Sequence, residues 1–456
     1  MPKPKSAMKN TTNKSSTYIN EQRRNYALYV LQSRAIPHAA DGLKSAGRRV
    51  LWTARNGDKF KTATLAGATM PIHPHESPEG AINTLAAPYG NNIPLFKGIG
   101  AFGTLLEPKE YGAARYTSVK VSKFTADVVF RDIEIIPMQD NYDMTLKEPV
   151  HFLPLVPTAL LNPTSGIAVG FACNILPRSL DDLIMVQLAF LHGKKRFTNP
   201  MPKFRPIQSS AQLVDGAFVF EGDYEEINAT TLRVTRLPFG VAHERKFISR
   251  LDSLVEKDIV VDWTDRSKDT TDVQVQFKRG VLSGMDRDEI LKTLGLTEKH
   301  SENLNVIDFT GDKVWSPTPV EFITRFTEWR LGWYVQRFER LRDLISADLQ
   351  RYYDVRTAIK NNVGGISKKT ESRAELKELL NKMKIVNLDY IADLPVYRFT
   401  QEEFNKNEER IKEAEATLKE YKAMLASEDK RRELYIDELQ QILKTYLKNG
   451  YNEQEK

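Results

Sequence analysis

The spacing of apolar and polar residues changes along the chain and predicts different elements in its first, middle and last parts. Near the start, Tyr26, Val30 and Leu31 recur at helical spacing, and the pattern stops at Pro37, which predicts a helix ending there. The segment ADGLKSAGRRVLWTA predicts a second helix, and short helices with glycine-rich loops continue to about residue 150. The β-branched stretch TSVKVS predicts a strand at the edge of a small sheet.

The middle of the chain begins after a proline-rich boundary and alternates in the manner of strands. The segment NPMPKFRPI at 199–207 marks this boundary, because proline interrupts both helices and central strands. Within residues 208–310, the stretches FVFEGDY, TTLRVTRLPF and TDVQVQFKRG predict antiparallel strands. Helical patterns near 244–256 and 286–295 interrupt them, so this part is predicted to be an α+β module.

Beyond Pro319 the pattern becomes helical over a long stretch. Apolar side chains recur mostly at steps of three and four residues and later at steps of seven: Tyr334, Phe338, Leu341, Ile345 and Tyr352, then Phe404, Ile411, Leu418 and Leu425. A compact insert at 360–400, containing VGG and LPVY, separates the two stripes. A helical stripe usually reflects ordinary core packing, but the length and the pairing of these two favour an antiparallel coiled-coil arm.

Composition is typical of globular proteins. The 456 residues exceed what one hydrophobic core usually supports, and they are 41% hydrophobic and 28% charged, with a mean hydropathy of −0.44. No apolar run approaches the roughly 20 residues of a membrane helix, and the polar N-terminal segment lacks the apolar core of a secretory signal. A cytoplasmic location is therefore expected. The single cysteine, Cys173, excludes an intrachain disulfide and a cysteine zinc cluster.

Positive charge is concentrated near the start of the chain. The net charge is +6, but residues 1–61 carry 13 Lys and Arg against three acidic residues, which gives +10 there and −4 for the remainder. A basic region on an otherwise nearly neutral chain is typical of proteins that bind the phosphate backbone of nucleic acids. A basic segment that only increases solubility is the alternative interpretation.

Metal and nucleotide motifs are weak in this sequence. The chain has no GxxxxGK[ST], and FKGIGAFGT at 96–104 has closely spaced glycines without the strand, turn and helix of a dinucleotide site. Asp286 and Asp288 stand at the predicted start of a helix, where acidic side chains favour the helix dipole, so a structural role is expected. His73 and His75 in IHPHES form a poor metal site without a third ligand, but they are candidates for proton transfer or phosphate contact.

Tyr116 in GAARYTSVKV is a candidate nucleophile because Arg115 directly precedes it. A phenol has a pKa of about 10, so its attack on a phosphodiester requires a neighbouring cation and a group that accepts the proton. Arg115 provides the cation. From residue type alone, however, a partly buried structural tyrosine is the more common outcome.

Five segments, taken in order, carry a family resemblance. They are SRAIPHAADGLKSAGRRVLW at 33–52, IHPHES, FKGIGAFGT, AARYT, and LLNPTSGIAVGFACNILP at 160–177. The chain resembles the DNA-cleaving subunit of type IIA DNA topoisomerases, a gyrase A-like family. In that family the five correspond to the N-terminal signature, the histidine-containing active-site segment, a glycine-rich stretch, the catalytic Arg-Tyr segment and the G-I-A-V-G segment. The resemblance covers about residues 23–450, and the size and missing parts look most like tailed-phage members of the family.

The resemblance implies an α+β multidomain fold made of four parts. These are a basic disordered tail at 1–22, a winged-helix DNA-cleavage domain at 23–155, an α+β tower domain at 156–318, and a long antiparallel coiled coil with a small helical exit-gate domain at 319–456. A homodimer through the coiled-coil gate is implied, because one tyrosine cuts only one strand.

The resemblance also implies the chemistry. The chain would be the DNA-cleaving and religating subunit of an ATP-dependent type II DNA topoisomerase. Tyr116 would become joined to a 5′ phosphate of double-stranded DNA, and Arg115 would stabilise the charge that builds on that phosphate. Mg²⁺ and ATP would be held by a partner subunit that carries the ATPase and the acidic metal-binding (Toprim) cluster. The place of action would be the cytoplasm of a bacterial host cell.

The resemblance further assigns contacts with DNA. Four basic positions match the family's DNA-contacting residues: Arg34, Lys44, Arg48 and Arg49. Ile167 matches the residue that wedges between base pairs and bends the duplex. The alternatives are a solvated basic face for the first four and a buried core isoleucine for Ile167.

Departures from the family pattern leave two questions open. HPHES replaces the usual HG[DE]xS, so either His73 or His75 is the active-site histidine. Ala101 stands where the family has a polar residue, and Ser45-Ala46 replaces the proline of DGLKP. A DNA-bending protein with the same fold that does not cleave is the alternative function, while a tyrosine recombinase is disfavoured because Tyr116 lies in the wrong third of the chain.

Overall fold

The computed structural model describes residues 18–19, 22–23, 31–74, 78–168 and 170–448. The chain forms two compact units, of which the first runs to Thr327 and resumes at Leu439, and the second comprises Glu328–Glu438. The helix predicted before Pro37 lies partly outside the described residues, which show a short helix at Leu31–Ala35. The tail predicted at 1–22 lies almost entirely outside them, and the predicted domain boundaries stay predictions.

The elements are mixed along the chain, which confirms the predicted α+β class. The α-helices are Ser45–Ala54, Thr62–Thr69, Pro78–Ala86, Leu180–Leu191, Ser249–Glu256, Arg287–Leu294, Pro319–Lys360, Val363–Ser367, Arg373–Lys382, Leu388–Ala392, Gln401–Ala426 and Glu428–Lys448. Shorter π or 3₁₀ helices are Leu31–Ala35, Thr125–Val129, Ile133–Ile135, Thr158–Leu160, Arg205–Ile207, His243–Ile248, Leu282–Gly284 and Val396–Phe399. Across the described ranges, no helix is both long enough and apolar enough to cross a membrane.

The strands are short and pair only with antiparallel neighbours in the sheets described. They are Phe60–Lys61, Phe96–Ile99, Ser118–Val121, Met138–Asp140, Lys147–Pro149, Thr164–Ala168, Phe171–Ile175, Lys203–Phe204, Ser209–Ser210, Gln212–Val214, Ala217–Glu221, Asp223–Asn228, Thr231–Arg236, Val260–Asp265, Val273–Phe277, Thr297–His300, Val306–Ile307 and Val314–Trp315.

A three-stranded sheet lies next to the candidate tyrosine. Its central strand is Ser118–Val121, which pairs with Phe60–Lys61 on one side and Phe96–Ile99 on the other. The prediction that TSVKVS forms an edge strand is therefore wrong. Alternating small, apolar and charged residues suggest an edge, but the two neighbouring strands are only two and four residues long. Strands that short leave no periodic signal in the sequence.

Three helices pack together beside this sheet and fix its position. Ser45–Ala54, Thr62–Thr69 and Pro78–Ala86 all contact one another. Leu51, which the pattern of the first helix turns inward, is fully buried, and Leu65 and Ile82 from the other two helices are equally enclosed. Burying each such side chain contributes about 1.5–3 kcal/mol, so the group forms a stable platform for the residues that follow.

The strand-rich module confirms the predicted antiparallel strands, with one division that was not foreseen. Its four-stranded sheet has the order Asp223–Asn228, Thr231–Arg236, Val273–Phe277 and Val260–Asp265. FVFEGDY splits at Gly222 and contributes to two sheets, because its first half pairs with Thr297–His300 instead. A Cβ at Gly222 would lie 2.4 Å from the backbone oxygen of Arg236, so the chain changes direction where only glycine fits.

The Asp286 and Asp288 pair opens the helix Arg287–Leu294, as predicted. The Asp286 carboxylate accepts a hydrogen bond from the backbone N–H of Glu289 at 2.8 Å, and the Glu289 carboxylate accepts one from the backbone N–H of Asp286 at 3.1 Å. This reciprocal capping box satisfies two N–H groups that the helix leaves unbonded. The structural interpretation of this motif is confirmed.

The second unit is built on long helices that run antiparallel, as the stripes predicted. Pro319–Lys360 is 42 residues long and Gln401–Ala426 is 26 residues long. The Asn407 side chain donates to the backbone oxygen of Tyr352, while Phe338 packs against Tyr421. From one contact to the other, the residue number rises on the first helix and falls on the second, so the two helices run antiparallel. The insert between the helices forms a small helical group around the buried side chains of Val363, Leu376, Leu380, Ile385 and Ile391.

Candidate active site and nucleic-acid interface

Tyr116 lies on a turn that leads directly into the central strand of the three-stranded sheet. Its side chain is 70% exposed, so the alternative of a partly buried structural tyrosine is wrong. The guanidinium carbon of Arg115 lies 4.8 Å from the centre of the Tyr116 ring, within the range of a cation–π contact. The Tyr116 backbone N–H donates to the oxygen of Ala113 at 2.8 Å. A phenol and a cation are thus presented together on one tight turn.

The start of the helix Thr62–Thr69 holds this turn in place. The backbone N–H groups of Thr62 and Ala63 donate to the oxygens of Thr117 and Ala114, at 3.1 and 3.3 Å. The first N–H groups of a helix have no partner within it, so the turn carbonyls satisfy them. The Thr62 and Thr117 hydroxyls, both buried, also bond to each other at 2.7 Å. The tyrosine therefore projects from a rigid backbone rather than from a loose loop.

The glycine-rich segment FKGIGAFGT supports the same turn and is not a nucleotide site. The next element after it in the described chain is the strand Ser118–Val121, whereas a dinucleotide site needs a helix directly after the glycine-rich turn. The N–H of Gly112 donates to the oxygen of Ala101 at 2.9 Å. A Cβ on Gly112 would lie 3.2 Å from the Thr117 side chain, which is tighter than ordinary packing. The loop and the turn thus approach each other closely, and Ala101 contributes a backbone atom to this contact.

The ADGLK segment builds a buried polar cluster around Asp41. The Asp41 carboxylate accepts two hydrogen bonds from the Arg48 guanidinium, at 2.7 and 2.9 Å. It also accepts the backbone N–H groups of Leu43 and Phe152, at 3.1 and 3.0 Å. Burial raises the pKa of this carboxyl, but the charge and hydrogen bonds of Arg48 more than offset it, so the net pKa is lowered. Asp41 is therefore ionised and joins two distant segments of the first unit.

Two further residues of this segment, Gly42 and His38, are also constrained by their surroundings. Gly42 has a φ of +68°, and a Cβ there would lie 2.5 Å from backbone atoms of Ala159, so no other residue fits without strain. His38 stacks on His151 with ring centres 5.1 Å apart. Burial lowers the pKa of His38 to about 3, so its ring is neutral at pH 7.

The four basic residues predicted to contact DNA lie in different environments. Arg34 is exposed on the short helix Leu31–Ala35. The Lys44 ammonium donates to the backbone oxygen of Ser165 at 2.7 Å, and burial lowers its pKa. The Arg49 guanidinium binds the Glu148 carboxylate at 2.5 Å. Arg48 is only 8% exposed and donates hydrogen bonds to Asp41, so its guanidinium supports the loop. Contact with DNA stays a prediction for all four residues.

Ile167 stands at the end of a hairpin formed by Thr164–Ala168 and Phe171–Ile175. Its side chain is 87% exposed, so the alternative of a buried core isoleucine is wrong. The residue before Ile167 packs tightly, because a Cβ on Gly166 would lie 2.1 Å from the backbone oxygen of Ala35. An apolar side chain is thus held in solvent on a fixed support. Phe171 is also exposed on this hairpin and was not foreseen from the sequence.

The structure places one of the two candidate histidines. His73 is half-buried in a small pocket whose other lining residues are Ala46, Arg49, Thr69 and Pro78. Its ring and that of Tyr142 are arranged edge to face, with centres 5.6 Å apart. His75 lies outside the described residues. The choice between the two histidines therefore stays open.

Comparisons with known proteins agree on one family. The family model for the DNA gyrase/topoisomerase IV A-subunit matches residues 34–440. The chain is 30% identical over 404 residues to the DNA topoisomerase medium subunit of Enterobacteria phage T4, covering 85% of this chain and 90% of that protein. It is 26% identical over 459 residues to the DNA gyrase A-subunit of Metamycoplasma arthritidis, covering 92% of this chain and 51% of that protein.

Structural similarity supports the same fold. The crystal structure of the DNA-binding, cleavage and re-ligation domain of Plasmodium falciparum topoisomerase II matches with a TM-score of 0.80 at 20% identity. The match covers 94% of this chain and 65% of that one. Because the family model spans most of its length, the chain belongs to the DNA gyrase/topoisomerase IV A-subunit family, whose members are the DNA-cleaving and religating subunits of a class of isomerases, the type II DNA topoisomerases.

Proposed function

We propose that Tyr116 is the nucleophile with which this subunit makes a transient double-strand break for strand passage. The observation that carries the proposal is the tyrosine turn. It combines a phenol that is 70% exposed with an arginine 4.8 Å from the ring centre. The backbone of the turn is fixed by the Thr62–Thr69 helix, and a nucleophile held in one geometry needs little further ordering before it reacts.

The proposed step exchanges one phosphodiester for another. The phenol of Tyr116 gives up its proton, and its oxygen attacks the phosphorus of the DNA backbone. The bond from phosphorus to the 3′ oxygen breaks, and that oxygen leaves as a hydroxyl after taking up a proton. The 5′ phosphate stays joined to Tyr116, so the bond energy is kept and the 3′ hydroxyl reverses the step without another reactant.

Two neighbouring groups are assigned supporting roles. Arg115, on the same turn, stabilises the negative charge that builds on the phosphate in the transition state. His73 or His75 accepts the phenolic proton or contacts the phosphate, as the resemblance implies. A lone Arg-flanked tyrosine in water reacts poorly, so both functions are needed near neutral pH.

Metal and nucleotide are assigned to a partner chain. Type II topoisomerases use Mg²⁺ and ATP, and the groups next to Tyr116 are Arg115 and Lys61, which repel a cation. In the ranges the structure describes, no three His, Cys, Asp or Glu side chains form a metal site. We therefore assign Mg²⁺ to the Toprim cluster and ATP to the ATPase domain of the partner subunit. Mg²⁺ supplies positive charge that stabilises the transition state.

A homodimer is proposed because a double-strand break needs two tyrosines. The small helical group of the second unit exposes Val386, Tyr390, Val396 and Tyr397 to solvent. Large apolar side chains that stay exposed within one small helical group support a surface that binds another chain. We assign this surface to the coiled-coil gate of a dimer that acts on double-stranded DNA in the cytoplasm of a bacterial host cell.

DNA binding is assigned to the basic residues and the exposed hairpin. Arg34, Lys44, Arg48 and Arg49 are the proposed phosphate contacts near the start of the chain, with the family resemblance as their main support. Ile167 is the proposed wedge between base pairs. Its exposure and its rigid hairpin support this role, because partial unstacking costs a few kcal/mol and needs a side chain held ready to insert.

Replacing Ile167 by Ala should reduce DNA bending and cleavage without weakening the fold. The side chain is 87% exposed, so its truncation leaves no cavity and the thermal midpoint should stay within about 2 °C of wild type. Bending is measured by energy transfer between dyes at the two ends of a duplex. Ile227→Ala is the matched control, since Ile227 is also exposed, on a strand of the four-stranded sheet. An unchanged bend angle with Ile167→Ala would refute the wedge.

The proposed function is tested by reconstitution with the cognate ATPase subunit. The mixture is given supercoiled plasmid, Mg²⁺ and ATP, and the linking number of the DNA is followed on gels. Relaxation in steps of two is the expected result, because each strand passage through a double-strand break changes the linking number by two. Bending without any change in linking number would instead indicate a DNA-bending protein that does not cleave.

A further inference from the structure

The hairpin that carries Ile167 has one face against the protein and one face in solvent. In its register Ile167 lies directly opposite Ala172. Side chains alternate along a strand, so these two residues share one face, while Cys173 belongs to the other. Cys173 is buried, whereas Ala172 is exposed like Ile167. Ile167 therefore points away from the packed face of the hairpin, and its position depends on the strand that contains Ala172.

The outer edge of that second strand, Phe171–Ile175, pairs with a segment far along the chain. Asn174 and Asn303 exchange backbone hydrogen bonds, at 3.0 and 2.9 Å. The Asn174 side chain also donates to the backbone oxygen of Ser301 at 2.7 Å. These contacts anchor the end of the strand that lies farther from the hairpin turn.

Asn305 holds the same strand two residues nearer to the turn. Its side-chain amide donates to the backbone oxygen of Ala172 at 2.7 Å, across 133 positions in sequence. The oxygen of the same amide accepts a hydrogen bond from the Ser316 hydroxyl. Because its acceptor side faces Ser316, the amide is oriented with its N–H groups toward the hairpin. The residue directly opposite Ile167 is thus held by an oriented donor.

The turn of the hairpin supplies little support of its own. Gly170 has a φ of +83°, and among the described residues a Cβ there would meet no atom within 4 Å. The position of Ile167 is therefore set by the two strands. The first is held where the Lys44 ammonium donates to Ser165, and the second where Asn305 donates to Ala172.

We propose that Asn305 is a positioning residue for the wedge, because it fixes the strand that sets where Ile167 meets the duplex. The inference rests on the proposed role of Ile167 and deepens it. Asn305 acts through the hairpin, since both ends of its amide are bonded within the protein. An inserting side chain that is already ordered loses less conformational freedom when it separates base pairs, so this contact favours the bent duplex.

The test measures bending of a duplex with a dye at each end by variants of the full chain. Asn305→Ala should lower the ratio of bent to unbent DNA by about three- to tenfold, the effect of one hydrogen bond. The thermal midpoint should stay within about 3 °C of wild type, because Ala172 is exposed and water can bind its freed oxygen.

Asn361→Ala is the matched control for this loss. The Asn361 amide also donates to a backbone oxygen, that of Thr357 in the second unit, at 2.8 Å. Its removal deletes the same kind of hydrogen bond away from the hairpin, so bending should equal that of wild type.

A double variant separates positioning from a direct effect on DNA. With Ile167→Ala there is no wedge to position, so adding Asn305→Ala should cause no further loss of bending. Losses that add in the double variant would show that Asn305 acts independently of Ile167, and they would overturn the proposal. Wild-type bending by the Asn305→Ala protein would overturn it as well.

Ser316→Ala tests the same contact if Asn305→Ala folds poorly. Ser316 is exposed, and its removal frees the Asn305 amide to rotate, so bending should fall in the same direction. The wedge and its positioning residue give distinguishable failures. Unchanged bending with Ile167→Ala would refute the wedge and the positioning role together. Bending lost with Ile167→Ala but kept with both other variants would refute the role of Asn305 alone.

Discussion

Replacing Arg48 by Ala should destabilise the region around Asp41 by about 3–5 kcal/mol, because it leaves a buried carboxylate without its charge partner. Asp41 is almost fully enclosed, and its carboxylate receives two hydrogen bonds from Arg48. The two backbone N–H groups that remain, from Leu43 and Phe152, do not neutralise it. The same cluster joins the helix Ser45–Ala54 to residues far along the chain, so its loss should loosen both.

Hydrogen exchange measures this effect where it occurs. A thermal midpoint reports on the whole chain of two units, whereas the expected loss lies in one region of the first unit. Exchange of the amides in peptides that cover 38–54 and 150–156 reports the local opening free energy. Arg279→Ala, which removes an exposed arginine, is the control and should change the local opening free energy by no more than about 0.5 kcal/mol in any peptide.

The result also separates two roles for Arg48. A purely DNA-contacting arginine, once removed, would weaken DNA binding and leave exchange in these peptides unchanged. Wild-type exchange in the Arg48→Ala protein would therefore contradict the buried ion pair as a source of stability.

Replacing Tyr116 by Phe should abolish the covalent protein–DNA adduct that denaturant traps in the reconstituted complex. Only the phenolic oxygen forms the bond to phosphorus, so its removal leaves no alternative on that side chain. Binding of duplex DNA should stay near wild type, because the ring, its contact with Arg115 and the turn backbone are retained. The expected change is a loss of adduct to background with an unchanged dissociation constant.

Tyr18→Phe provides the matched control for this loss. Tyr18 is also an exposed tyrosine, and its variant should form the adduct as wild type does. An adduct that survives in Tyr116→Phe would show that another residue attacks the DNA.

Periodicity predicted the larger elements, because long stripes repeat often enough to be recognised. The 42-residue helix Pro319–Lys360, the second long helix and the helices near 250 and 290 all carry such stripes. Short strands are harder to predict from sequence. Phe60–Lys61 has only two residues, and its pairing depends on a neighbour far along the chain, so the central position of Ser118–Val121 could not be read from TSVKVS alone.

The site was predicted unevenly for a related reason. The adjacency of Arg115 and Tyr116 is a sequence fact, but the exposure of the phenol depends on the Thr62–Thr69 helix and the glycine loop that hold the turn. Arg48 and Arg49 look alike in sequence, yet Asp41 buries one while Glu148 binds the other.

The attachment site of the DNA tests the central claim most directly. The wild-type complex with its ATPase subunit is denatured during cleavage, treated with nuclease and protease, and the peptides that retain a nucleotide are sequenced by mass spectrometry. The account predicts one modified peptide, with a nucleotide joined through its 5′ phosphate to Tyr116. A nucleotide on any other residue, or one joined through a 3′ phosphate, would contradict it.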